Sequence, residues 1–362
     1  MADTRLRSAV VGCRIGALHA AGYSACDDTR LVALCDKVPA TLQQVGRDFG
    51  VKRLYADFDD MLRCERLDLL TIATTQPLHA EMTIRAAGYH PHAILCEKPM
   101  ASSMGEARAM LDACNQNGVR LAIGHEWRWM DLHVKARSLI AEGAIGEPRF
   151  AYVSVDPGGL MNRGTHQINY TLYVLGDPKV EWVLANVQRE TDRYERGWPA
   201  EDLAGAMIGL DNGVRIAVDS DVRPSVDDDE SAQIVVGSEG LMLWPCDFSR
   251  VPFGLKLLRK RAAEFEVFPP GPDRGPEFIA HQIADLARWA RGEIETHRGD
   301  ANIAIQTQEI LMGIYESART HSLVRLPLKT QSSPLLGAIR SGDLKVRYPG
   351  RYDIRYREQL PV

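Results

Sequence analysis

The chain has 362 residues, 45% hydrophobic and 25% charged, with 30 Gly and 19 Pro, ordinary globular values at a length that suggests two domains. A formal net charge of −5 and a pI near 6.1 exclude a global basic field, so neither nucleic acid nor an anionic membrane is expected as a partner. No apolar run reaches bilayer length and the opening MADTRLRSAVVG lacks the apolar core of a signal peptide. The seven cysteines (13, 26, 35, 64, 96, 114, 246) form no C-x-x-C pair, so buried thiols in a reducing cytoplasm are expected.

The first 125 residues alternate short apolar β-rich runs, SAVVG, LVALCD, LLTIATT, AILCEK and RLAIGH, with helix-like stretches at 16–25, 39–49, 78–88 and 103–116. Such alternation predicts βαβ units and a parallel sheet covered on both faces. Ligands of these sheets bind outside the carboxyl ends of the strands. From residue 126 the rhythm changes. The helix DLHVKARSLIAEG leads to the strand PRFAYVSV, a helix at 164–175, and strands near 179–188, 203–210, 214–220, 232–237 and 240–244. This predicts an α+β domain over 126–328 on a largely antiparallel sheet, with Asn212-Gly213 making a type I′ hairpin turn. Helices follow at 276–291 and 302–320, the second expected to pack back on the first domain. The acidic SVDDDES, 225–231, reads as a solvated turn rather than a metal site. The stretch 329–362, with seven Lys/Arg against three Asp/Glu, is either a surface arm or a strap on a neighbouring subunit.

AVVGCRIGALHAAGY follows the first strand and opens a helix, the context a nucleotide-binding loop requires. Gly12 and Gly16 would let a pyrophosphate approach the helix N-terminus, with Arg14 and Ile15 between them. Arg14 falls where the full G-x-G-x-x-G pattern has glycine, so the loop reads as one residue short. Asp36, twenty residues beyond Gly16, is placed to bind an adenosine ribose and repel a 2′-phosphate, favouring NAD over NADP, although Lys37 tempers that preference. A bare helix-capping role for Asp36 is the alternative. The strand AILCE runs into Lys98-Pro99, which sets a lysine at the mouth of a buried strand. It either pairs with Glu97 or a cofactor phosphate, or faces a substrate. Near residue 170, Ile168, Leu172 and Leu175 define a core face of the helix, leaving His166, Asn169, Tyr170 and Tyr173 to front a cleft.

Taken together, VVGCRIGALHA, TIATTQPLHAE, ILCEKPM, GHEWRW, IAEGAIGEPRF, GTHQINYTLYVLG and IYESARTHSLVRLPL resemble the glucose-fructose oxidoreductase/inositol dehydrogenase (Gfo/Idh/MocA) family, in family order from about residue 8 to 328. The resemblance implies an N-terminal Rossmann domain followed by an α+β domain with a large open, mostly antiparallel sheet. It further implies NAD-dependent oxidation of a ring secondary alcohol of a sugar, glycoside or cyclitol, and a homo-dimer or homo-tetramer. On this pattern Lys98 is the active-site lysine and Pro99 is cis. His166 is the histidine that takes the alcohol proton, and Thr74, His79 and Glu97 lie by the cofactor. Where relatives often carry Asp on either side of that histidine, this chain has Asn162 and Asn169, which shifts proton relay towards Lys98. His79 has a helix-capping alternative. Arg128 is expected to be structural, and Trp127, Trp129 and Tyr152 are either a wall for the substrate or core. Two other functions remain open: redox-neutral, NAD-dependent glycoside cleavage by oxidation and elimination, and a dinucleotide-binding sensor without turnover.

Overall fold

The computed structural model describes residues 3–155, 159–195, 197–220, 232–245, 254–271 and 276–353. Its packing divides the chain into two units, neither continuous in sequence. Residues 1–102, 106–129 and 273–305 form the first, and 103–105, 130–272 and 306–362 the second.

The first unit is built on β1 (Leu6–Val11), α1 (Gly16–Ala25), β2 (Thr29–Cys35), α2 (Pro39–Asp48), β3 (Arg53–Tyr55), α3 (Phe58–Cys64), β4 (Leu69–Ile72), α4 (His79–Ala87), β5 (Ala93–Glu97), α5 (Met104–Gln116) and β6 (Arg120–Gly124). All strand pairs are parallel, in the order β3-β2-β1-β4-β5-β6. This is the Rossmann arrangement, whose chain order reverses between β1 and β4. Period-two alternation is hidden in the sequence because both faces are apolar. Ala9, Val11, Ile94 and Cys96 pack with Met61, Ala86 and Met110 on one face. Val10, Leu34 and Leu95 pack with Tyr23, Val45 and Ile283 on the other. Ile283 comes from a helix at Pro276–Ala290 that returns to this unit and lies against α1. A Cβ on Gly22 would stand 2.6 Å from Ile283 Cδ1, so the two helices approach at the expense of a side chain.

The second unit begins with α6 (Asp131–Ala141), β7 (Pro148–Ser154) and α7 (Thr165–Val174). Then come β8 (Val180–Gln188), β9 (Thr191–Glu195), β10 (Trp198–Pro199), β11 (Leu203–Leu210), β12 (Arg215–Asp219), β13 (Ala232–Gly237), β14 (Gly240–Pro245), β15 (Leu255–Arg259) and β16 (Glu266–Phe268). After the returning helix α8 (Pro276–Ala290) follow α9 (Ala301–Thr320), β17 (Val324–Arg325), α10 (Pro334–Ser341) and β18 (Tyr348–Asp353). Nine strands form one sheet, β16-β15-β14-β13-β7-β12-β11-β8-β17, antiparallel except where β12 meets β7. Val183, Ile208, Ile216, Ala151 and Val235 share its buried face, and Gly313 of α9 lies against Val183. Among the described residues no helix is long and apolar enough to cross a membrane.

Three local readings differ from the sequence expectation. The hairpin between β11 and β12 is not type I′: of Asp211, Asn212 and Gly213 only Gly213 takes a positive φ, +82°. The Gly213 N–H donates to Leu210 O and the Asn212 side chain accepts from Val214 N–H, which makes a three-residue loop ending in a glycine bulge. The larger return to the first unit is made by α8, because Ile279, Ile283 and Leu286 form its apolar stripe, whereas α9 gives its core Ala301, Ala304 and the partly buried Ile305 from its first turns. The stretch after 329 is folded as far as it is described. Ser333 caps α10, Pro334, Leu335 and Ala338 are buried, and β18 pairs in parallel with β9. The 225–231 loop and Cys246 lie outside the described residues.

Candidate active site

In the first unit the glycine loop is pinned first by its own backbone. Gly12 N–H donates to Cys35 O (2.8 Å) at the end of β2, and Gly16 N–H to Gly12 O (3.1 Å). Gly12 sits at φ +86°, and a Cβ there would lie 2.4 Å from the Ala73 carbonyl oxygen. The helix behind the loop has no side-chain cap and no acid in its first turn. Among the described residues the N–H groups of Arg14 and Ile15 have no hydrogen-bond partner. Two free donors at a helix N-terminus, with the positive end of its dipole, make a seat for a phosphate anion. Asp36 is tied to the same loop: one carboxylate oxygen accepts from Cys13 N–H (2.6 Å), the other from Val38 N–H (2.8 Å). Each oxygen keeps a further lone pair for a ribose hydroxyl. These residues fit a dinucleotide.

At the carboxyl end of β5 the Lys98–Pro99 peptide is cis and Lys98 is half-buried. Glu97, placed by the resemblance near the cofactor, instead turns inward. It is 7% exposed, with Oε1 accepting from His19 Nε2–H (2.8 Å) and Oε2 from its neighbour's backbone N–H at Lys98 (3.2 Å). Burial alone would raise its carboxyl. The hydrogen bond from His19 and the charges of His19, Lys98 and His79 outweigh that, and the net direction is down. His79 likewise faces protein: its Nδ1 donates to the Pro99 carbonyl (2.8 Å) and its Nε2 lies 3.2 Å from the Thr74 carbonyl. It neither caps α4 nor opens to a ligand, but ties the end of β4 to the turn after Lys98. Burial pushes its imidazole below the usual range. Thr74 Oγ1 donates to Met82 Sδ (3.6 Å). Trp129 takes the core reading, because its indole N–H donates to Asp285 (2.8 Å) and its ring packs on His297 and Arg298. Arg128, 2% exposed, is a core residue too.

In the second unit a π-helical turn, Leu160–Gly164, carries Asn162 and runs straight into α7, which carries His166 (4% exposed). The turn is anchored by a residue no motif announced. Glu201, 2% exposed, accepts from Leu160 N–H (2.5 Å) and from the Tyr315 hydroxyl (2.7 Å). Burial, with the charge and hydrogen bond of Glu201, holds the Tyr315 hydroxyl well above its usual range, so it stays a donor. The two-faced reading of α7 gives way, since all ten residues are buried. Asn169 donates to Thr307 of α9 (2.9 Å), Tyr170 stacks on His133 of α6 at 4.0 Å, and the Arg137 guanidinium covers Tyr173 at 4.5 Å. Tyr152 lies on β7 in the nine-stranded sheet. Its partners are Ala217 and Ile234, and Ala217 pairs in turn with Met207. Paired residues share a face, and this one is opposite the buried row of Ala151 and Val235. Among the described residues no three or more His, Cys, Asp or Glu are grouped to hold a metal ion.

Residues 6–125 match the family model described as oxidoreductase family, NAD-binding Rossmann fold. Along 94% of its length the chain is 28% identical to D-apiose dehydrogenase of Paraburkholderia graminis, covering 95% of that protein. It is also 28% identical to D-glucoside 3-dehydrogenase of Escherichia coli over 51% of this chain and 58% of that one. The fold matches that of an oxidoreductase from Agrobacterium radiobacter in complex with NAD+, L-tartaric acid and magnesium, with a TM-score of 0.76, 21% identity and coverage of 89% and 98%. The chain is an oxidoreductase, and its residues 6–125 match the NAD-binding domain of the Gfo/Idh/MocA family.

Proposed function

We propose that this oxidoreductase is an NAD-dependent dehydrogenase that oxidises a ring secondary alcohol of a sugar, glycoside or cyclitol. The observation that carries the reading is Lys98, half-buried at a strand end and braced by a buried carboxylate, in the same unit as a glycine loop with two free N–H donors. NAD+, when bound, supplies the hydride acceptor. Gly12, Arg14 and Ile15 seat its pyrophosphate, and Asp36 takes the ribose and favours NAD over NADP. An alcohol losing hydride must also lose its hydroxyl proton. The Lys98 ammonium polarises that hydroxyl and steadies the developing alkoxide; His166 accepts the proton, with Asn162 orienting the imidazole. The relatives named for D-apiose and D-glucosides support a sugar substrate. A homo-oligomer is supported by the open sheet face, where Leu184 is 48% exposed beside Met207, Ala217 and Tyr152.

The test is reduction of NAD+ followed by absorbance over D-apiose, aldoses, alkyl glucosides and inositols. Turnover on one class is expected, with Lys98→Ala slowing it about 10²–10⁴-fold while NAD+ still binds. Equal rates in Lys98→Ala, or no reduction with any compound, would refute the proposal.

A further inference from the structure

We propose that His19 and Glu97 form a positioning dyad that ties Lys98 to the phosphate-binding helix and holds the lysine in its charged form; the role given to Lys98 rests on the dehydrogenase reading above. His19 is wholly buried in the first turn of α1, the helix whose N-terminus seats the phosphate. Its Nε2–H is spent on Glu97 Oε1 (2.8 Å), and its Nδ1 has no hydrogen-bond partner among the described residues. The ring therefore has one polar contact, and that contact is Glu97. The other carboxylate oxygen holds the Lys98 backbone N–H, so the pair spans from the glycine loop to the lysine.

Space has been cleared for it. A Cβ on Gly124, the β6 residue paired with Glu97, would lie 2.9 Å from Glu97 Oε1 and 3.2 Å from its Cα. A buried carboxylate is costly unless hydrogen-bonded and near a cation. Here both conditions are met, and reciprocally the anion favours the charged form of Lys98. Among the described residues, His79 of α4 acts on both Glu97 and Lys98 and His125 after β6 acts on Lys98, with Arg128 acting on His125. Burial keeps both imidazoles below their usual range. Glu97 is thus an anion that acts directly on Lys98.

The experiment reads the titration of Lys98 without turnover, by trace acetylation with acetic anhydride across pH and peptide mass spectrometry, in the full-length protein. Glu97→Gln removes the charge at constant shape. His19→Leu removes the donor and leaves the carboxylate easier to protonate, and His19→Gln restores a donor. The Lys98 midpoint is expected to fall by about one unit in Glu97→Gln and by less in His19→Leu, with His19→Gln close to wild type. Where turnover is found, kcat should fall at least tenfold in Glu97→Gln, with a smaller change in KM. Midpoints unchanged in Glu97→Gln and His19→Leu, in proteins that melt cooperatively, would overturn the dyad. Absence of turnover in wild type would instead count against the dehydrogenase reading and leave the titration to decide the dyad.

Discussion

Glu201 offers a stability prediction whose size follows from its contacts. Its carboxylate is 2% exposed and has two donors, Leu160 N–H and the Tyr315 hydroxyl. Tyr315→Phe deletes the second and leaves a buried anionic oxygen without it, a loss of about 2 kcal/mol. Glu201→Gln should lose under about 1 kcal/mol, since its carbonyl can still accept from Leu160 while its NH2 donates to the Tyr315 oxygen. Glu201→Ala strands both donors and opens a cavity, for about 3–4 kcal/mol. In a unit of about two hundred residues each kcal/mol moves the melting point by about 2–4 °C. Calorimetry should therefore rank the variants Gln, Phe, Ala, with Tyr315→Phe falling by about 4–8 °C. Because the Leu160 contact opens the turn bearing Asn162, Glu201→Ala should also reduce kcat at temperatures where it is folded. A Glu201→Ala protein that melts within a degree of wild type would refute the clamp.

Gly12→Ala adds about 1–2 kcal/mol of left-handed strain and a contact against rigid backbone. Its dissociation constant for NAD+, measured by titration calorimetry, should rise at least tenfold. Asp36→Ala should weaken NAD+ and raise the NADP+ to NAD+ ratio of kcat/KM, since Lys37 and Arg14 then face the 2′-phosphate alone; an unchanged ratio would remove Asp36 from the ribose site. His297 is buried, with Nε2–H donating to Gln282 O (3.1 Å) and Nδ1 accepting from Gly299 N–H (3.0 Å), and burial lowers its imidazole to about 4. Its folded value lies below the ordinary 6.5, so its contribution is complete above pH 6.5 and is lost as pH falls towards 4. That loss amounts to about 3 kcal/mol, to which His79 and His125 add in the same sense. Melting points should drop across that window, less steeply in His297→Gln.

What the sequence discloses is local. Gly12, Gly16 and Asp36 are legible because a loop, a helix start and a strand end lie within one βαβ unit, and the strands of the first unit are legible because they are short apolar runs. What it hides depends on partners far along the chain. Glu97 looks like a cofactor ligand until His19, 78 positions away, is seen to claim it. Trp129 reads equally as wall or core until Asp285, 156 residues on, accepts its N–H. Helical periodicity gave α7 a wet face that α6 and α9 cover, and Tyr152 sits on a sheet face that no period assigns to one side or the other. Glu201 and Tyr315 have no spacing signature at all, since their shared role is a contact between a strand-flanking residue and a distant helix.

The return of α8 to the first unit has a consequence for how the protein is made. Everything needed for the dinucleotide loop has emerged from the ribosome by residue 129, yet Ile279, Ile283 and Leu286, which cover one side of that unit's sheet and α1, lie roughly 150 residues further on. At about 5–20 residues per second, the nascent half-domain waits on the order of ten to thirty seconds with Tyr23 and the face around Gly22 uncovered. During that interval it is a client for chaperones. A gene cut after residue 129 would leave it so permanently, which makes this Rossmann unit a poor candidate for excision and α8 its last-arriving wall.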